Sequence, residues 1–126
     1  MTFTTPCFVR VENPEKRKEL IEWLEGIGYT HFPFIHDSCL IATDSYGRIW
    51  LTDANRDGAY DCQTDTYLFK ALAAMNDVND REQWFVEEGR MFKCTSDKID
   101  NYSYHWLTTR KATAEEIVEY FKNKER

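Results

Sequence analysis

Three sets of residues in this chain are of types that can do chemistry, and each set points to a different kind. Asp53, Asn55, Asp57 and Asp61 place short oxygen side chains at alternating positions around Gly58. Carboxylate and amide oxygens converging in this way suit a hard cation such as calcium. Cys7, Cys39, Cys62 and Cys94, with His31, His36 and His105, are raw material for nucleophilic catalysis, which needs a thiol held near a base. Tyr102, Tyr104 and Trp106 crowd into one short segment around His105. Exposed Tyr and Trp side chains dominate the energetics of protein–protein contacts, so this third set points to a binding surface.

Spacing separates the three. The run Asp53-x-Asn55-x-Asp57-Gly58-x-x-Asp61 resembles the calcium loops of EF-hand and dockerin proteins. That resemblance implies direct ligation by Asp53, Asn55 and Asp57, a carbonyl ligand from Ala59 and a water-mediated contact from Asp61. The twelfth position, where those families carry an acidic ligand, is Thr64, and Asp65 falls one residue late. A calcium site here is therefore expected to be weak, and the same composition also suits a tight polar turn. The cysteines are single and widely spaced, without the C-x-x-C pairs of a structural zinc site. Neither a G-x-S-x-G elbow nor a phosphate-binding glycine loop occurs. Cys7, Cys39 and Cys94 lie in strand-like runs and read as small core residues. Cys62 lies in a polar stretch and is the candidate nucleophile of a Cys-dependent enzyme. His31 and His36 flank Pro33 at a spacing that aims them at no common metal, and they read as loop residues. The aromatic segment around Trp106 also suits a loop that packs its own rings over the core.

Charge narrows the partners. The formal net charge is −6 and the pI is near 5.1, which argues against a nucleic-acid phosphate backbone. The strongest basic run, Glu15-Lys16-Arg17-Lys18, is flanked by acidic residues and reads as a solvated helix face. The amino terminus lacks the basic and apolar regions of a signal peptide, and no apolar stretch approaches the roughly 20 residues a membrane helix needs. A cytoplasmic protein with no membrane partner is the expectation. At 126 residues, without a Pro/Gly/Ser-rich linker or an internal repeat, residues 1–126 are expected to form a single domain.

The elements that must position these residues alternate in type. Cys7 to Val11 is rich in β-formers and reads as a strand. Asn13-Pro14 opens a helix with a capping side chain and a proline at the first helical position. Its apolar stripe is Leu20, Leu24 and Ile27, and Gly26 and Gly28 end it. Runs 39–43 and 48–52 flank the turn Asp44-Ser45-Tyr46-Gly47 and predict a β-hairpin. Leu68, Leu72 and Met75, with Phe69 and Ala71 beside them, predict a second helix. Runs 83–87 and 90–94 flank Glu88-Gly89 and predict a second hairpin. Residues 95–110 show no periodicity. Thr113-Ala114-Glu115-Glu116 is a capping box ahead of a last helix that buries Ile117, Val118 and Phe121, with Tyr120 beside them. The order β-α-β-β-α-β-β-α predicts an α+β fold, a mostly antiparallel sheet of about five strands with helices chiefly on one face. Its first six elements follow the order of a ferredoxin-like split βαβ unit.

Three blocks in the second half of the chain resemble small uncharacterised phage and prophage proteins of gut bacteria. They are Asp61-Cys62-Gln63-Thr64 with Phe69-Lys70-Ala71-Leu72-Ala73-Ala74, then Gln83-Trp84-Phe85-Val86, then Lys111 to Ile117. The resemblance implies a small accessory protein of a bacterial host cytoplasm and carries no catalytic residue with it. The functional expectation is a non-catalytic accessory or regulatory protein that binds another protein through Tyr102, Tyr104 and Trp106. A weak calcium- or small-ligand-binding module over residues 53–65 is the alternative, and a Cys-dependent enzyme stands third.

Overall fold

A computed structural model describes residues 6–31, 39–43, 48–52, 59–76, 80–99 and 109–124. Its contacts gather in two compact units, Met1–Asp77 and Val78–Arg126. The fold is α+β.

In the first unit, β1 (Cys7–Arg10) leads into α1 (Pro14–Gly26). Asn13 caps that helix as its position before a proline predicts. Its side-chain oxygen accepts from the amides of Glu15 (2.9 Å) and Lys16 (3.2 Å), two donors that the first helical turn leaves without partners. At the other end the chain reverses through Gly28, whose φ of 113° is open to glycine alone. The reversal lets the Tyr29 amide reach back to the Leu24 carbonyl at 3.0 Å. Leu20, Ile21 and Leu24 are buried.

The strands of this unit are β1, β2 (Thr30–His31), β3 (Cys39–Thr43), β4 (Arg48–Thr52) and β5 (Tyr60–Asp61), arranged in the order β2-β4-β3-β1-β5. The hairpin β3–β4 forms in the expected register, with Cys39 opposite Thr52 and Thr43 opposite Arg48. β3 also runs antiparallel to β1, whereas β5 on β1 and β2 on β4 are parallel, so the sheet is mixed. The ferredoxin-like pairing does not form. β1 lies beside the first strand of the hairpin rather than the second, and its other edge is taken by β5. There the amides of Tyr60 and Cys62 donate to Pro6 and Phe8 at 2.9 and 2.8 Å. The fourth expected strand, 84–87, belongs to another sheet.

Helix α2 (Thr66–Ala73) starts at Asp65, whose carboxylate accepts from the amides of Tyr67 and Leu68, both at 3.0 Å. It ends before Met75, and the predicted single stripe widens. Leu68, Phe69, Ala71, Leu72 and Ala73 are all buried, as befits a helix apolar nearly all round. The Cys7 thiol of β1 reaches the Phe69 carbonyl. The Tyr29 hydroxyl donates to the Ala73 carbonyl at 2.8 Å, and the Lys70 ammonium lies 5.3 Å over the Trp23 ring of α1. These contacts place α1 and α2 in one layer.

The second unit holds a three-stranded antiparallel sheet in the order β7-β6-β8, built from β6 (Trp84–Glu87), β7 (Arg90–Lys93) and β8 (Arg110–Lys111), with helix α3 (Ala114–Lys124). Phe85 faces Phe92 across the β6–β7 ladder with rings 6.2 Å apart and stacked. Trp84, on the other face, meets Tyr120 and Phe121 of α3 at 5.3 and 5.4 Å between ring centres. Among the described residues, no helix is long and apolar enough to cross a membrane.

Candidate functional site

The sequence-predicted site residues fall mostly outside the described segments. Asp53, Asn55 and Asp57 do so, as do Tyr102, Tyr104 and Trp106. Asp61 is described: it is exposed at the end of β5, and its carboxylate accepts from the amide of Gln63 at 2.8 Å. That bond closes a local turn, with Gln63 at a positive φ of 56°.

Cys62 is not the accessible thiol that its polar surroundings predict. Its amide belongs to the β1 ladder, and only 3% of the residue is exposed. Its thiol neighbours that of Cys7, which is buried completely. Burial pushes the Cys7 thiol well above its ordinary range, and the neighbouring Cys62 pushes in the same direction. Cys94 is raised too, again chiefly by burial. The reactive form of cysteine is the thiolate, so Cys7 and Cys94 are inert core thiols at neutral pH.

The feature the structure does assemble lies in the second unit. Glu88 and Gly89 link β6 to β7 with φ of 51° and 79°, a two-residue turn with both residues left-handed. Such a turn matches the twist of the two strands, and it normally recruits Asn or Gly. At the other side of the sheet the capping box forms as the sequence predicts. The Glu116 amide donates to the Thr113 hydroxyl at 3.1 Å, and the Thr113 amide donates to the Glu116 carboxylate at 3.0 Å. The same carboxylate takes a two-pronged bond from the Arg110 guanidinium on β8, at 2.7 and 2.8 Å. Arg110 first, then the Thr113 backbone, hold the Glu116 carboxyl down at about 2. Arg110 is raised in turn by Glu116.

Helix α3 thus presents two adjacent stripes. Ile117 and Phe121 are buried at i and i+4. Glu116, Glu119, Tyr120 and Asn123, at i, i+3, i+4 and i+7, share the neighbouring face. With Val86, Glu88 and Met91 of the hairpin they line a surface groove of about 660 Å³. Val86 and Met91 are cross-strand partners and supply an apolar wall. Tyr120 supplies an aromatic one, and its ring clusters with those of Trp84 and Phe121. The carboxylates of Glu88, Glu116 and Glu119 share the lining, those of Glu88 and Glu119 on exposed residues. In the sequence these residues were legible as a turn and a capped helix. The second stripe of α3 is polar but carries Tyr120 between Glu116 and Asn123, and that aromatic position is the sign of the groove that the sequence offers.

Among the described residues, no group of three or more His, Cys, Asp or Glu is placed to hold a metal ion. No protein-family model, curated protein or solved structure matches this chain.

Proposed function

We propose that this chain is a non-catalytic, phage-type accessory or regulatory protein that acts by binding another protein, and that the groove of the second unit is its contact surface. The observation that carries the reading is the composition of that groove, with apolar and aromatic walls from Val86, Met91 and Tyr120 under a charged edge. An apolar centre with a polar rim is how protein interfaces are commonly built. A proton-transfer role fits the same site poorly. A carboxyl held near 2 is far too acidic to be an efficient general base at neutral pH, and Glu116 is already committed to Arg110 and the helix cap. The phage-type part of the reading is supported by the three sequence blocks around residues 61–74, 83–86 and 111–117.

The test is affinity capture from a lysate of the bacterial host, comparing the chain with a Glu119→Arg/Asn123→Arg variant. Both positions are exposed on α3, so long side chains there obstruct the groove without entering the core. The expected result is one dominant, stoichiometric partner that the variant fails to capture. A partner retained by the variant moves the surface elsewhere, and a blank from folded bait sinks the binding reading.

A further inference from the structure

We infer that the groove between the β6–β7 turn and α3 takes a cationic side chain, an arginine flanked by apolar residues on an exposed segment of the partner. The inference rests on the binding reading above and specifies what that surface recognises.

The argument starts from charge. Four ionisable side chains line the groove apart from Tyr120: Glu88, Glu116, Glu119 and Arg110. Arg110 and Glu116 are paired through bonds of 2.7 and 2.8 Å, which offset one another's charge. Three carboxylates less one guanidinium leave the lining two negative charges in excess, on Glu88 and Glu119. Neither of these has an ion-pair partner among the described residues. An anionic ligand would meet this excess of negative charge, with Arg110 the one cation in the lining and already paired with Glu116. A cation meets both Glu88 and Glu119 with nothing to displace.

The walls then select the kind of cation. Val86 and Met91 can cover an aliphatic stem, which a hydrated inorganic ion lacks. Tyr120 is braced by two rings at 5.3 and 5.4 Å, so its position costs little ordering when a flat cation stacks on it. Arginine combines such a stem with a planar head that both stacks on aromatic rings and bonds carboxylates in parallel pairs.

The test uses the full chain, isotopically labelled, and three capped tripeptides with leucine at both ends and arginine, citrulline or glutamate between them. Citrulline keeps the shape of arginine and removes its charge. The arginine peptide is expected to shift the amides of Val86, Gly89, Met91 and Asn123 saturably. The citrulline peptide should bind about tenfold more weakly and the glutamate peptide more weakly still. Glu88→Gln and Glu119→Gln, both exposed and neutral to folding, should each weaken the arginine peptide about threefold to fivefold and leave the citrulline peptide unchanged. Equal binding of arginine and citrulline peptides at these amides overturns the charge inference and leaves the groove standing as a binding surface. Absence of shifts at these amides with every peptide, in a spectrum that shows the folded chain, overturns the inference as well. The groove reading is then decided separately, by whether the Glu119→Arg/Asn123→Arg variant loses the captured partner.

Discussion

The two units use the same kinds of residue to opposite ends. In the first, polar side chains close the backbone on itself: Asn13 and Asp65 cap helices, and Asp61 closes a turn. Its first strand is buried on both faces, with Cys7 and Val9 wholly covered and Phe8, on the other face, 1% exposed. In the second unit one acid, Glu116, caps a helix and binds Arg110, while Glu88 and Glu119 remain on the edge of a groove. Its β6–β7 hairpin alternates buried Phe85 with half-buried Trp84 and Val86. The difference is that between a strand buried through Cys7, Phe8 and Val9 and one that keeps part of a face open. The second arrangement leaves apolar surface of the β6–β7 hairpin where a partner can reach it.

The largest expected effect breaks the comparison if it fails. Phe8→Ala removes a buried ring from a strand covered on both faces and should cost about 3–5 kcal/mol. Met91→Ala, on the groove wall and half-buried, should cost under about 1.5 kcal/mol, because part of its surface is already in water. Chemical denaturation of both variants checks the pair. A Met91→Ala cost equal to that of Phe8→Ala would mean that the groove wall is core.

A smaller effect tests the capped end of α3. Thr113→Ala removes the hydroxyl that accepts from the Glu116 amide and should cost about 1 kcal/mol. The carboxylate side of the box has a pH signature. Folding lowers the Glu116 carboxyl from its ordinary 4.5 to about 2, so the folded chain favours the ionised form. Its contribution is therefore fully present above pH 4.5 and is lost as pH falls from 4.5 towards 2. Unfolding midpoints measured across that window should fall for the natural chain. Glu116→Gln should start lower at neutral pH and show a shallower fall over the same window.

These experiments bear most on the parts of the molecule that were readable in advance. Asn13-Pro14 and Thr113 to Glu116 mark helix starts because capping is a local contract between neighbouring residues, and both caps form as read. Glu88-Gly89 marked a hairpin for the same reason. The two-residue strands β2, β5 and β8 left no trace in the sequence, since two backbone pairs need no periodic pattern. The polar neighbours of Cys62 predict exposure, whereas its burial comes from a backbone ladder to Phe8, far away in the sequence. The division into two sheets was hidden too, because element order does not specify which edges pair. The groove needs all of these at once: a hairpin turn, a β8 arginine and a helix whose second face is polar. The sequence displayed each part singly, and nothing local joined them.

The smallest expected effect falls on the turn that carries one of the two groove carboxylates. Glu88 sits at φ 51° beside Gly89 at 79°, a conformation that costs a residue with a full-sized side chain roughly 1–2 kcal/mol. Asparagine tolerates it better, and Asn-Gly is the favoured pair for this turn. Glu88→Asn should therefore stabilise the fold by about 0.5 kcal/mol, read as a higher denaturation midpoint by tryptophan fluorescence. The same substitution removes a negative charge from the groove and should weaken the arginine peptide about threefold. Stability and binding then move in opposite directions from one substitution. If stability rises and binding also improves, the turn argument holds while the charge of Glu88 opposes the peptide, and the attraction assigned to it fails. If stability rises while binding is unchanged, Glu119 alone supplies the attraction, and the comparison between the units narrows to one helix face.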